Sequence, residues 1–244
     1  MLFIISLISF IAINLAPNSF FASGELNPNI TPEAIEELKA IYGLDKPLYI
    51  QFFSWIYSIL QLDFGISFTS GEKVKEEILS RIPITLTINI VSMILIFIIS
   101  LYFGIKSAMK KNSIFDRFTN QLSLLSFSMP SFYLALVLVL VFSIKFELFP
   151  IAGLHSVPND GSLNYYLDFA WHLTLPIFII VFGGIGSLIL YIRALTIEIL
   201  KSDYIFFARA RGLDNKKILR YYILPNLYPP VITLLGLSLP GIIG

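Results

Sequence analysis

Residues 203–225 read DYIFFARARGLDNKKILRYYILP, a basic stretch with a glycine near its middle and long apolar runs on either side. It carries Arg209, Arg211, Lys216, Lys217 and Arg220 against Asp203 and Asp214. A single cation at the centre of a bilayer costs roughly 2.5–3.5 kcal/mol on insertion scales, so the stretch lies outside the membrane that its flanks enter. Local signals divide it in two. Asp203 can start a helix, and Gly212 can end that helix in the left-handed conformation. Asp214 can cap a second helix, which Pro225 is expected to end. On that second helix Ile218, Leu219, Tyr222 and Ile223 share one face, and Lys216, Lys217 and Arg220 share the opposite one. A plain basic loop resting on anionic headgroups fits the same charges, so physics alone leaves elbow and loop equally open.

Working outward, five apolar runs are found: Met1 to Ala16, Ile84 to Ile105, Leu122 to Ile144 with Pro130 inside it, Leu173 to Ile192, and Leu227 to Gly244. None contains Asp, Glu, Lys or Arg. A bilayer-spanning helix needs about 20 apolar residues. These runs are too long and too uniformly apolar for barrel strands, so the expected fold is all-α, a polytopic membrane helical bundle. Composition agrees: 56% of residues are hydrophobic and 14% charged, where soluble domains carry about 25% charged residues. The chain has no Cys, which excludes a disulfide framework, a thiolate metal site and a cysteine nucleophile. The net charge of +1 identifies no partner, and no nucleic acid is expected.

Lys and Arg set the orientation. Segment 106–121 has four basic residues against Asp116 alone, and segment 193–226 has seven against three acids. Segment 17–81 has five against nine acids, and segment 145–172 has Lys145 against three. The first two segments are therefore expected in the cytoplasm and the other two outside, with a cytoplasmic N-terminus. Both ends read as incomplete. The first run lacks the basic flank of a signal peptide, and Phe21-Ala22-Ser23 is a poor cleavage site. Leu239-Pro240-Gly241 falls inside a span with no exit, so a sixth span is expected in the intact protein.

In the outer segment 17–81, Thr31 can cap a helix with Pro32 at its first position and Gly43 just past its end. The aromatic stretch Pro47 to Leu62 reads better as an interfacial helix than as a further span, because a span there would put Lys106, Lys110 and Lys111 outside. Thr85, Thr87, Asn89, Ser92, Ser100, Ser126, Ser128 and Ser187 lie near membrane depth. Any could line a pore, although such residues more often satisfy backbone or bond across helices. His155 and His172 read as structural, without a carboxylate or second histidine at ligand spacing, and no metal site is expected.

The stretch quoted first resembles the cytoplasmic loop of ABC importer permeases, and most of all the oligopeptide, dipeptide and nickel branch. Asp203-Tyr204 and Ala208-Arg209-Ala210-Arg211-Gly212-Leu213 stand where that branch has Asp-Tyr and Ala-Arg-Ala-Lys-Gly-Leu. Leu224-Pro225 stand at its Leu-Pro. The Glu of the general importer loop is missing, as it is in this branch. Tyr42-Gly43-Leu44-Asp45-Lys46-Pro47-Leu48, Asp63-Phe64-Gly65-Ile66-Ser67, Ser128-Met129-Pro130-Ser131-Phe132 and Phe149-Pro150-Ile151-Ala152-Gly153 resemble further motifs of the branch, in order, over nearly the whole chain.

The resemblance implies a single importer transmembrane domain over 1–244, a permease subunit in a prokaryotic inner membrane, coupled through 193–226 to separate ATPases. It implies a second permease subunit, two cytoplasmic ABC ATPases that use ATP and Mg, an external substrate-binding protein, and a peptide as ligand before nickel or a sugar. The coupling residues it implies are Asp203, Tyr204, Ala208, Arg209, Ala210, Arg211, Gly212, Leu213, Leu224 and Pro225. No G-x-x-x-x-G-K-[ST] loop occurs, so the chain itself is expected to bind no ATP and to catalyse nothing. An ion-coupled secondary transporter is the rival, but such proteins commonly keep ionisable groups inside the membrane, and the five runs have none.

Overall fold

A computed structural model describes residues 1–15, 46–67, 70 and 72–242. Among these residues every regular element is a helix. The chain divides into two units, Met1–Ser80 and Arg81–Gly244.

In the first unit, α1 (Leu2–Leu15) has 14 residues. At 1.5 Å per residue it reaches about 21 Å, short of the roughly 30 Å hydrocarbon core. Among the described residues the first apolar run is thus a short apolar helix. The aromatic helix α2 (Leu48–Leu60) is shorter still at 13 residues, which fits the interfacial reading. Phe52 is its buried residue, and its ring meets Phe3 at 5.6 Å and Phe10 at 5.3 Å, both edge-on. The helix expected between Thr31 and Gly43 lies outside the described residues.

Helix α3 (Val74–Met109) runs from the first unit into the second, starting ten residues before its apolar run and passing through Pro83. Glu76 and Glu77 occupy its first turn, where the helix dipole favours negative charge. The third apolar run is not one straight span. It forms α4 (Ile114–Ser128) and α5 (Ser131–Leu138, continued by a π turn Val139–Lys145), bent by 100°. Pro130 lacks the N–H to continue α4, and Met129 before it takes extended backbone at φ −83° and ψ 120°.

Helix α6 (Leu163–Leu200) starts at Ser162, whose hydroxyl accepts a bond from Tyr165 N–H. It takes up the end of segment 145–172 as well as the fourth run. Beyond it come α7 (Asp203–Ala210), α8 (Asn215–Ile218), a π turn (Leu219–Ile223) and α9 (Leu224–Ser238), closed by a 3₁₀ turn (Leu239–Ile242). Pro225 does not end the second elbow helix as expected. It sits at the junction of the π turn and α9, and the widened turn ahead of it accommodates the missing N–H and carries the chain onward. Residues Asn215–Ile242 thus form one continuous helix long and apolar enough to span. Among the described residues α3 and α6 also pass that test, and the bent α4–α5 pair makes a fourth.

Packing in the second unit relies on bare backbone. A Cβ on Gly186 would stand 2.5 Å from the Ser123 carbonyl oxygen, so α4 and α6 touch closely there. A Cβ on Gly104 would stand 2.8 Å from Ile192, bringing α3 against α6. Ile192 and Leu227, both fully buried, join Phe97, Ile105 and Val231 to tie α3, α6 and α9 together. Ile98, Phe127, Leu140 and Leu237 remain exposed, as a surface facing lipid requires.

Candidate functional site

The elbow is built from the end of α6. Ser202 donates its hydroxyl to the Ile199 carbonyl at 2.6 Å and stands at the N-cap of α7. Asp203 is in the first turn of α7, where a carboxylate complements the dipole, and is not itself the cap. The other end of α7 is a Schellman motif. Gly212 N–H bonds the Arg209 carbonyl at 2.9 Å, and Leu213 N–H bonds the Ala208 carbonyl at 3.2 Å. Gly212 has φ +79°, as that motif requires. Asp214 then caps α8, accepting from Lys217 N–H at 2.8 Å.

Ile205, Ala208, Ile218 and Ile223 are buried together and seat the elbow on Met109 of α3 and on Ile199 and Leu200 of α6. Leu213, Leu219 and Tyr222 pack on the same cluster. The rings of Tyr204 and Tyr222 stack at 6.3 Å, joining α7 to the turn after α8. The face of α7 turned away is open. Asp203, Tyr204, Arg209 and Ala210 are exposed, as are Arg211, Gly212 and Pro225 on either side, while Leu224 is half-buried. Arg209, Arg211, Lys216 and Lys217 make no ion pair among the described residues. Phe206 and Phe207 are also exposed, at 69% and 60%. Lying between the buried Ile205 and Ala208, they form the outward face of a one-sided helix.

A second polar assembly stands near the same ends of α3 and α6. Asp116 of α4 accepts Arg193 Nε at 2.7 Å on Oδ1 and Arg193 Nη2 at 2.9 Å on Oδ2. Oδ1 also accepts from the Ser107 hydroxyl and from Asn120 Nδ2, and Oδ2 accepts from Asn112 N–H at 2.9 Å. Every lone-pair direction of the carboxylate is used, and its side chain is 4% exposed. Removing one partner of such a pair leaves the other charge unmet, a loss of roughly 3–5 kcal/mol.

Most polar residues at membrane depth satisfy backbone. Thr85 and Thr87 donate to the Arg81 and Pro83 carbonyls one turn back. Asn89 donates to the Ile242 carbonyl at 2.9 Å, Ser100 to Ile185, and Ser126 to Phe182. Asn89, Ser92, Ser187, Tyr191 and Ser238 also line a cavity of about 480 Å³ between α3, α6 and α9, whose walls carry no Asp, Glu, Lys or Arg. Among the described residues the Ser92 hydroxyl is buried without a partner.

The two histidines are not alone, contrary to expectation. Asp168, four residues before His172 on α6, stands 3.7 Å from His155 Nδ1 and 3.5 Å from His172 Nδ1. Its carboxylate accepts Ser156 N–H at 2.7 Å, and the His155 ring stacks on Tyr165 at 3.9 Å. This knot pins the segment before α6 to the start of that helix. Among the described residues no group of three or more His, Asp or Glu side chains is placed to hold a metal ion.

Residues 96–244 match the family described as binding-protein-dependent transport system inner membrane component, and residues 1–89 match the N-terminal family of the same components. The chain is 33% identical over 241 residues to the oligopeptide transport system permease protein AppB of Bacillus subtilis (strain 168), covering 98% of this chain and 75% of that protein. It is 31% identical to the dipeptide transport system permease protein DppB of Lactococcus lactis subsp. cremoris (strain MG1363), over 99% of this chain and 75% of the relative. It is 29% identical to the metal-staphylopine import system permease protein CntB of Staphylococcus aureus (strain Mu50 / ATCC 700699), over 89% and 65% respectively.

Proposed function

Because the chain belongs to the binding-protein-dependent transport system inner membrane components, we propose that it is one permease half of an ATP-driven peptide importer, and that residues 203–225 receive the motion of an ATPase. The observation that carries this reading is the elbow itself. A short helix, closed by a Schellman motif and seated by four buried side chains, leaves one face open. A push on that face passes into α3 and α6, because the joint has little slack to absorb it. The exposed Phe206 and Phe207 supply apolar contact, and Arg209 and Arg211 supply charge without an internal partner.

The complex comprises this chain, a second permease subunit, two cytoplasmic ABC ATPases that use ATP and Mg, and an external substrate-binding protein. The whole of 1–244 serves as one transmembrane domain. Segments 106–121 and 193–226 face the cytoplasm with the N-terminus, and 17–81 and 145–172 face outward. Oligopeptides or dipeptides are the cargo, by likeness to AppB and DppB. A metal chelate is the second reading, favoured by the likeness to CntB. Proteoliposomes holding the complete importer decide between them. A radiolabelled alanine tripeptide is expected to accumulate, and unlabelled di- and tripeptides to compete with it. Exclusion of peptides together with accumulation of a nickel or zinc chelate would establish the second reading.

A further inference from the structure

Resting on that role of the elbow, we propose that the Asp116–Arg193 pair is a positioning latch, which fixes α3, α4 and α6 to one another so that a push on the elbow moves them as one body. The pair joins residues 77 positions apart. Through Ser107 it grips the last turn of α3, through Asn112 N–H the turn between α3 and α4, and through Arg193 the helix from which the elbow grows. Asn112 holds φ +66°, a left-handed turn that asparagine tolerates, and its N–H on Oδ2 ties that turn to the carboxylate.

Stability alone does not account for this chemistry. A buried ion pair replaced by apolar groups of similar volume is often as stable or more so. A planar guanidinium on both oxygens of a carboxylate gives direction and register, which apolar contact does not. The position fits such a use. Met109, two residues beyond Ser107, packs both on the buried cluster of the elbow and on the core shared by α3, α6 and α9. Ile199 and Leu219 bridge the same two clusters. The latch therefore stands where force from the elbow would either be shared among the helices or spread them apart. Among the described residues it is the only Arg or Lys side chain paired with a carboxylate between different helices.

The test is the number of ligands imported per ATP hydrolysed, measured on the complete importer in proteoliposomes with a radiolabelled alanine tripeptide. Asp116→Asn and Arg193→Lys are expected to import about 10-fold less per ATP, the range of ordinary coupling energies between sites. Arg193→Lys keeps the charge and loses only the two-pronged geometry, so it fails to rescue. Ser107→Ala keeps both charges and is expected to lower the ratio about 3-fold, in proportion to one lost hydrogen bond. Should Asp116→Asn not assemble with the ATPases, Ser107→Ala and Arg193→Lys decide. Assembled variants that are less heat-stable but import the wild-type number of ligands per ATP would overturn the latch and leave a merely structural pair. A wild-type importer that accumulates peptide without ATP overturns the elbow reading, and the latch with it.

Discussion

Gly212 and Gly186 need the same missing Cβ for different reasons. At Gly212 nothing lies within 4 Å of where a Cβ would stand, but φ is +79°. A side chain there meets backbone strain of about 1–2 kcal/mol and no clash. Gly212→Val is therefore expected to insert normally and to lose ATPase docking or ligand-stimulated hydrolysis. Gly212→Asn, which tolerates the left-handed region, is expected to keep most of both. Normal stimulation in the valine variant would sink the elbow as a rigid joint. At Gly186 the backbone is helical and the space is absent. Gly186→Val is expected to destabilise the purified complex by about 1–3 kcal/mol or more, because carbonyl and amide atoms cannot move aside as a side chain can. Gly183→Ala, with nothing within 4 Å, is the control and should not lower the melting temperature. Gly212 and Asp214 were legible in the sequence because caps are chemistry over four or five residues. Asp116 and Arg193 were not, since nothing local to either names a partner 77 residues away. The available signal was weaker: Asp116 is the one acid in a basic segment, and Arg193 the first charge after an apolar run.

At the scale of elements, charge-free length marked where α3, α6 and α9 cross, because a run of about 20 apolar residues has few other uses. It did not mark where those helices begin. The ends of α3 and α6 are mixed in polarity, so helix continues where hydropathy stops. Pro130 and Pro225 show the limit of local rules. Pro130 follows extended backbone and breaks its run, whereas Pro225 follows a π turn that absorbs the missing N–H and does not. The sidedness of these elements can be measured directly. The chain has no native Cys, so Glu76→Cys and Lys110→Cys can be labelled against a clean background. A membrane-impermeant thiol reagent applied to whole cells is expected to modify the first and not the second. Modification at Lys110 alone would invert the topology and move the elbow to the outer side.

For the whole molecule, the central claim is that motion made elsewhere with ATP enters through the elbow and leaves as altered access to a path between the helices. The cavity between α3, α6 and α9 has hydroxyl and amide groups but no Asp, Glu, Lys or Arg in its walls to carry a coupled proton or sodium ion. An intramembrane charge is costly and is usually kept where it has a task. The walls of that cavity therefore offer a coupling ion no carboxylate, while the elbow offers a partner a firm surface. The most direct measurement is ligand uptake by the complete importer in sealed proteoliposomes, with ATP inside or absent, and with or without an uncoupler. The account predicts accumulation that requires internal ATP and persists when the uncoupler has collapsed the gradient. Accumulation that continues without nucleotide and stops when the gradient is dissipated would contradict it.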